Sequence, residues 1–478
     1  MKPPFFDILS NQEIIQIDSE SKRILEESGV KVLHDECLNL LEEIGCKVDR
    51  TSQIVRIPSN VVQKVVEAIP SSFSLFGRDP AKRIELGGEN VYFGPGGFAV
   101  FVEDLNTGKR RRAFRQDLID HLKVSDALSG CEFNHVNVFP SDIPEKNADL
   151  YIWADALIYQ TKPIMSENYN TRSVEALVEI GTILRGARKA LIEKPFLCLD
   201  VCVLSPLTHD TRQVDLLLAG AKYGLPISIN SGPIAGATSP VTLASVVSQA
   251  NAEILSAIVI TFAATPGTPV LYSSWGRHMD MRYCNVTMGG PEFALLKVCI
   301  SQMGRYYGIP TRGGGALSDS LLVDTQAGYE KMLTTLIPAI GGLNYISGMG
   351  LNETENLQSL AQLVIDNEIV SMVKRILKGV EVDRDRLATE LIIQRGPGSH
   401  FLDTDHTLRF FRQEFFYPEI SNRMKYEPWS EGGALSARDR AQEKARKLLQ
   451  NNPESELDSR VIKEIYEIVK REERTNKN

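Results

Sequence analysis

From about residue 130 onwards, the sequence alternates short apolar segments with longer segments of helical periodicity. The short segments have the length of buried strands, and a proline stands before several of them, as at Pro163, Pro226 and Pro269. A strand–helix unit repeated eight times over roughly 280 residues is typical of a (β/α)₈ barrel of the TIM type. The predicted strands cover residues 133–139, 164–167, 196–203, 227–230, 270–274, 309–313, 343–347 and, less regularly, 391–395.

The sequence outside this repeat has a different character. Residues 12–70 have helical periodicity, and residues 72–115 contain short apolar runs separated by glycines. We therefore predict an α/β chain in three parts. Residues 1–130 form helices and a small β segment that cap the barrel, residues 131–420 form the barrel, and residues 421–478 form a C-terminal helical extension. A doubly wound sheet is disfavoured because no G-x-G-x-x-G follows the first predicted strand.

Charge and cysteine content exclude several classes of protein. The chain has 53 Lys and Arg against 61 Asp and Glu, a net charge of −8, so no basic face for nucleic acid is expected. Its seven cysteines include no C-x-x-C pair, which argues against a disulfide framework or a thiolate zinc site. The N-terminus lacks the apolar core of a secretion signal, and no apolar run reaches ~18 residues. We expect a cytoplasmic protein that does not bind membranes.

In a barrel of this type, the active site lies at the C-terminal ends of the strands. The residues that follow the predicted strands are rich in Gly, Ser, Asn and aromatics and poor in paired carboxylates or clustered histidines. His400 and His406 are the best metal candidates, but their spacing favours capping or packing, so no metal is expected. Glu253 and Glu292 are candidate catalytic carboxylates, although either could brace a helix or loop instead. The catalytic residues remain unassigned.

The residues that follow the predicted strands include several aromatic side chains that can bind a ligand. An aromatic box holds a quaternary ammonium group by cation–π attraction, and a basic side chain beside it can hold a carboxylate of the same ligand. Trp275 is the leading member because it follows a strand among Ser, Gly, Arg and His. The predicted substrate-binding residues are the aromatics Tyr92, Phe93, Phe98, Tyr272, Trp275 and Tyr345 and the basic residues Arg277, His278 and Arg312.

The chain resembles the trimethylamine methyltransferase family of corrinoid-dependent methyltransferases. Members that use trimethylamine carry pyrrolysine near the D-x-Q-A-x-Y-E-K segment, and Gly328 stands at that position here. The resemblance therefore points to the non-pyrrolysine branch, which is associated with quaternary amines and above all with glycine betaine. It implies that Asp324, Gln326, Gly328 and Tyr329 lie at the mouth that faces the corrinoid. The matching segments are 76–80, 94–97, 251–253, 290–292, 324–331, 366–368 and 400–407.

The chemistry of methyl transfer is consistent with a quaternary amine substrate. A quaternary ammonium releases a neutral tertiary amine without a proton, so Co(I) can attack the methyl carbon while the protein orients and desolvates the substrate. The chain has no D-x-H-x-x-G corrinoid motif. We therefore expect it to bind no cofactor of its own and to methylate the corrinoid (cobalamin) of a partner protein, converting glycine betaine to dimethylglycine. Assembly into a homo-oligomer is also possible.

Three alternatives stay open. The same chemistry could act on carnitine, γ-butyrobetaine or proline betaine, because specificity depends on a few pocket residues. The barrel could instead be a betaine-binding protein without catalysis. A metal-dependent hydrolase is the third alternative, and it requires His209, His278 and a carboxylate to converge.

Overall fold

Eight parallel strands form the central sheet in a computed structural model, which describes residues 5–136, 138–451 and 455–475. The strands follow one another around the sheet in chain order, as the sequence predicts for a (β/α)₈ barrel. Residue 137, within the predicted segment 133–139, lies outside the described residues. The strands are β1 (Tyr92–Pro95), β2 (Asn134–His135), β3 (Ile164–Glu167), β4 (Leu197–Val203), β5 (Ile227–Ser231), β6 (Val270–Ser274), β7 (Thr311–Gly314) and β8 (Tyr345–Met349).

The prediction of a strand at 391–395 is wrong, because these residues belong to the helix Thr389–Arg395. The missing strand is β1, which pairs in parallel with β8. The Glu132 N–H donates to the Phe93 carbonyl at 2.8 Å and brings β1 against β2, which closes the barrel. A short apolar run cannot by itself distinguish a strand from a helix. The boundaries 1–130, 131–420 and 421–478 stay a prediction, although pairing places β1 in the barrel sheet.

A helix follows each barrel strand and packs outside the sheet. The helix after β5 is long and apolar enough to cross a membrane, but 78% of its most apolar window is buried inside the protein. It therefore has the composition of a core helix, most of whose surface is covered by the rest of the protein. The eight helices are α1 (Arg115–Ala127), α2 (Ala148–Tyr159), α3 (Thr171–Arg185), α4 (Thr211–Tyr223), α5 (Leu243–Ala264), α6 (Pro291–Tyr307), α7 (Thr325–Ile340) and α8 (Leu360–Lys378).

The hairpin that precedes β1 covers one end of the barrel. The antiparallel strands Phe73–Phe76 and Arg83–Leu86 contribute Leu75, Ile84 and Leu86 to an apolar cluster with side chains from the barrel strands. The preceding residues form the helices Asn11–Arg23, Asp35–Glu43 and Ser59–Glu67, the π-helical turn Ile24–Ser28, and the strands Val30–Val32, Lys47–Asp49 and Ile54–Arg56.

Short sheets lie at the opposite end of the barrel, at the C-terminal ends of its strands. One contains Phe101–Glu103, Arg110–Arg112, Leu351–Asn352 and Leu357–Gln358, and another contains Ile234–Ala235, Arg277–Asp280 and Asn285–Thr287. The predicted C-terminal helices lie outside the barrel, where Ala437–Asn451 contacts α8 and Ser459–Thr475 contacts α3. The remaining helices are Arg188–Glu193, Arg384–Leu387, Thr389–Arg395, Asp405–Glu414 and Tyr426–Glu431, with a 3₁₀ turn at Glu145–Asn147 and a short strand at Thr208–His209.

Candidate functional site

The barrel interior is layered, because alternate residues of each strand point inward. The lowest layer is apolar and packs on the N-terminal hairpin; its members are Phe133, Met165, Cys198, Leu271 and Tyr345. Towards the C-terminal ends of the strands, the inward positions become polar. His135, Asp200 and Ser228 occupy this second layer, and each of them hydrogen-bonds to Arg312. The change from apolar to polar places a charged floor beneath the open end of the barrel.

Arg312 lies at the centre of this floor and is fully buried. Its Nη1 is 2.5 Å from Asp200 Oδ1 and 2.8 Å from Ser228 Oγ. Its Nη2 donates to His135 Nδ1 at 3.1 Å. A guanidinium can only donate, so Nδ1 must accept and the histidine proton lies on Nε2. Burial and the adjacent Arg312 lower the pKa of His135 to about 3, so the ring is neutral.

Above the floor lies a cavity of about 550 Å³ at the C-terminal ends of the strands. Glu167, Cys202 and Asn230 enter it from β3, β4 and β5, and loop residues form the rest of the wall. Asn230 donates to the Cys202 thiol at 3.7 Å and accepts from Ser273 at 3.0 Å. The wall is lined by Gly97, Phe98, His135, Glu167, Asp200, Cys202, Val203, Leu204, Ser205, Asn230, Gly232, Ile234, Thr238, Trp275, Arg277, Val286, Met288, Thr354, Glu355 and Asn356.

The structure brings only part of the predicted aromatic box to this cavity. Phe98 and Trp275 line it, and the Phe98 ring meets His135 edge-on at 6.2 Å. Tyr272 and Phe93 occupy outward-facing strand positions, so they pack against the surrounding helices. Tyr92 and Tyr345 pack with the lowest layer, beneath the charged floor. None of these four residues lines the cavity, and a role for them in substrate binding stays a prediction.

The three predicted basic residues also lie in different places. Arg277 lines the cavity, and its Nη1 donates to the Trp275 carbonyl at 3.2 Å. Arg312 is paired with Asp200 and belongs to the floor, so it is not available as the predicted carboxylate-binding group. His278 lies outside the cavity, 2.9 Å from Thr287 Oγ1 and 3.9 Å from Glu292. Binding of a substrate by Phe98, Trp275 and Arg277 stays a prediction.

Three acidic residues of the wall were missed by the sequence reasoning. Burial and, less strongly, Asp200 raise the pKa of Glu167 to about 7. Burial raises the pKa of Glu355 to about 7 against the opposing charges of Arg277 and Arg312. Strict alternation along β3 and β4 would have identified Glu167 and Asp200 as inward-facing. Glu355 lies in a loop, and no sequence pattern marks it.

The other candidate residues have structural partners. Glu253 accepts hydrogen bonds from Ser205 Oγ, Ser231 Oγ and the Leu207 N–H, so it braces the loop that follows β4. His209 is buried and bonded to Ser256. His400 is exposed, 3.6 Å from Asp403, and His406 contacts the Asp385 carbonyl at 3.1 Å. Within the described residues, His209 and His278 therefore do not converge on a metal site with a carboxylate.

One group of potential metal ligands does occur in the cavity. Ligand atoms of Glu167, Asp200 and Cys202 lie within 4.8 Å of one another. Asp200 is already neutralised by Arg312, however, and a second cation beside it would be repelled by the buried guanidinium. The protonated Nε2 of His135 also cannot serve as a metal ligand. Independence from a metal ion remains a prediction.

The four residues predicted at the corrinoid-facing mouth lie at the start of α7, beyond the loop that follows β7. The Asp324 side chain caps this helix by accepting from the Ala327 N–H, and Gln326 donates to Glu330 at 2.9 Å. A Cβ at Gly328 would meet no atom within 4 Å. Tyr329 is 61% exposed. None of the four lines the cavity, and their contact with a corrinoid stays a prediction.

Comparison with known proteins shows which protein family this sequence matches. The model of the trimethylamine methyltransferase family (MTTB) matches residues 1–476. The glycine betaine methyltransferase of Desulfitobacterium hafniense (strain Y51) is 32% identical over 460 residues, covering 96% of this chain and 95% of that protein. The trimethylamine methyltransferase MttB of Methanosarcina thermophila is 30% identical over 467 residues, covering 96% of each chain.

A solved structure supports the fold. The crystal structure of the Methanosarcina barkeri monomethylamine methyltransferase superposes with a TM-score of 0.53 at 12% identity, covering 94% of this chain and 88% of that one. This similarity concerns the fold alone. The family match spans nearly the whole chain, and so does the similarity to the relatives at 30% identity or above. The chain belongs to the trimethylamine methyltransferase family.

Proposed function

We propose that this protein transfers a methyl group from glycine betaine to the Co(I) corrinoid of a separate corrinoid protein. The observation that carries the proposal is that Trp275 and Arg277, two residues apart on one segment, both line the cavity. An indole face attracts a quaternary ammonium, and a guanidinium binds a carboxylate. Glycine betaine carries both groups. The similarity to a glycine betaine methyltransferase over 96% of the chain supports the same assignment.

The reaction balances without a proton. The methyl carbon forms a bond to cobalt while its bond to nitrogen breaks, and the electron pair of that bond remains on nitrogen. Cobalt is oxidised from Co(I) to Co(III), and dimethylglycine leaves with a neutral amine. The protein therefore needs to bind, orient and desolvate the substrate, because no group has to protonate the leaving nitrogen.

The cavity supplies these three functions. Phe98 and Trp275 offer apolar faces that exclude water from the methyl groups. Glu167 offers a negative charge for the cation, and a bound cation in turn favours the ionised form of this carboxyl group. The Asp200–Arg312 pair adds no net charge to the floor. The cavity lies at the C-terminal ends of the strands, so the proposal requires the partner's corrinoid to approach from that end of the barrel.

A demethylation assay tests the proposal. The purified protein is mixed with chemically reduced cob(I)alamin and one amine at a time: glycine betaine, carnitine, γ-butyrobetaine, proline betaine or trimethylamine. Formation of methylcobalamin is followed by its visible spectrum. We expect activity with glycine betaine and none with trimethylamine. Activity with a different betaine, and not with glycine betaine, would change the proposed substrate but leave the proposed reaction unchanged. Tight betaine binding without transfer, even after addition of the cognate corrinoid protein, would favour the betaine-binding alternative.

A further inference from the structure

Glu355 and Arg277 line the cavity, and each has one buried side-chain atom without a hydrogen bond to any described residue. Both Glu355 Oε1 and Arg277 Nε are buried, and neither has a hydrogen bond within the described part of the chain. A buried charged group without a partner is unfavourable, and folded proteins normally pair such groups. Glu355 and Arg277 carry opposite charges and line the same cavity, yet these two atoms do not hydrogen-bond to each other. The arrangement leaves a place for a ligand that carries both charges.

The backbone that presents Glu355 is unusual. Glu353, Thr354 and Glu355 adopt φ values of 52°, 51° and 72°, the left-handed region that favours glycine. Thr354 is β-branched, which makes this conformation especially rare. Three consecutive residues of this kind persist only when surrounding contacts hold them.

Those contacts come from the loop after β7 and from one arginine. The Glu353 N–H donates to the Ser320 carbonyl at 2.9 Å, and the Thr354 N–H donates to the Ser318 carbonyl at 3.1 Å. Arg110 binds the Glu353 carboxylate through two nitrogens, at 2.8 and 2.7 Å. These contacts hold the loop at the two residues that precede Glu355.

A glycine next to Glu355 leaves space for its carboxylate. Gly97 has a φ of +87°, and a Cβ at this position would lie 2.8 Å from Glu355 Oε1. Any side chain at residue 97 would therefore displace the carboxylate. The loop contacts and this glycine together position Glu355, although its Oε1 atom has no hydrogen-bond partner among the described residues.

We propose that Glu355 binds the positive end of the substrate and, together with Arg277, selects zwitterionic amines over amines that lack a carboxylate. This inference rests on the proposed function and deepens it. Glu355 acts on the ammonium group and Arg277 on the carboxylate. A betaine satisfies both unpaired charges at once, whereas choline satisfies only Glu355.

Calorimetric titration of glycine betaine and choline into the full-length protein tests this assignment. Glu355→Gln should weaken the binding of both ligands by roughly ten- to hundredfold, because each loses a charge-assisted contact. Arg277→Gln should weaken glycine betaine binding to a similar extent and change choline binding by less than twofold. Glu145→Gln is the matched control. It removes a negative charge from an exposed position just before α2, at the same end of the barrel but outside the cavity, so it should change neither affinity by more than twofold.

Thermal unfolding distinguishes a binding role from a structural one. Removal of an unpaired charge should leave the melting temperature of Glu355→Gln equal to or above that of the wild type at pH 8. Glu355→Asp keeps the charge and should bind glycine betaine more tightly than Glu355→Gln. The inference is overturned if the wild type binds glycine betaine and Glu355→Gln binds it within twofold, or if Glu355→Gln melts at a much lower temperature. If the wild type binds no betaine at all, the proposed function fails, and this inference fails with it.

Discussion

The charged floor beneath the cavity makes a strong prediction about stability. Asp200 and Arg312 form an ion pair at 2.5 Å between side chains that are 2% and 0% exposed. Asp200→Asn leaves the guanidinium buried without its hydrogen-bonded counter-charge. Breaking a buried pair by removing one partner costs about 3–5 kcal/mol, which is a large share of the roughly 5–15 kcal/mol that stabilises a folded protein. We expect this variant to lose that amount.

A double-mutant cycle makes the test specific to the pair. Arg312→Met removes the cation and leaves the Asp200 carboxylate buried, so it should be similarly destabilising. The double variant removes both charges, and its loss should be smaller than the sum of the single losses by at least about 2 kcal/mol. The free energy of unfolding is measured in urea for all four proteins. Losses that add to within about 0.5 kcal/mol would refute the pairing.

Further predictions concern binding and transfer. Trp275→Leu should weaken glycine betaine binding by about 0.5–2 kcal/mol, the range of a cation–π contact, as measured by calorimetry. Burial raises the pKa of Glu167 and Glu355 to about 7, and a bound cation favours their ionised forms, so affinity should rise as the pH increases from 6 to 8. Gly97→Ala should destabilise the protein by about 1–2 kcal/mol through its positive φ, and it should also weaken betaine binding by displacing Glu355. Gly328→Leu should leave betaine affinity unchanged but abolish transfer to the corrinoid protein.

Each of these predictions has a control or a result that contradicts it. Trp429 lies in the C-terminal region, so Trp429→Leu should leave betaine binding unchanged; equal losses would remove Trp275 from the site. Affinity that is flat or falls with pH would show that the two carboxylates do not meet the cation. Gly433→Ala has a similar φ of +95° but no neighbour within 4 Å, so it should cost stability without affecting binding. Full transfer activity in Gly328→Leu would place the corrinoid elsewhere.

Seven of the eight barrel strands were predictable because parallel strands are buried on both faces and form near-continuous apolar runs. β1 was missed because its four residues are followed closely by glycines, which made the segment resemble a hairpin in a separate cap. Residues 391–395 have the apolar composition of a strand but belong to a helix with no buried residue. Composition over such short segments does not determine which element forms.

The candidate site was less predictable, because it depends on strand register and on long-range pairing. Tyr272 and Tyr345 both lie on barrel strands, but the first points outward and the second lies one layer too low. Arg312 was predicted to bind a carboxylate, and it does so, but the carboxylate is Asp200, 112 residues earlier in the chain. Glu355 is placed by a strained loop whose fastening residues come from distant segments.

The central claim is that this chain moves a methyl group from glycine betaine to cobalt. The most direct measurement uses glycine betaine labelled with ¹³C in its N-methyl groups, together with the protein and reduced corrinoid. Carbon NMR then follows the label. We predict that one labelled methyl group appears on cobalt for every molecule of dimethylglycine formed, and that both signals require the protein. Dimethylglycine without a cobalt-bound methyl group, or no loss of label from glycine betaine in the presence of the cognate corrinoid protein, would contradict the account.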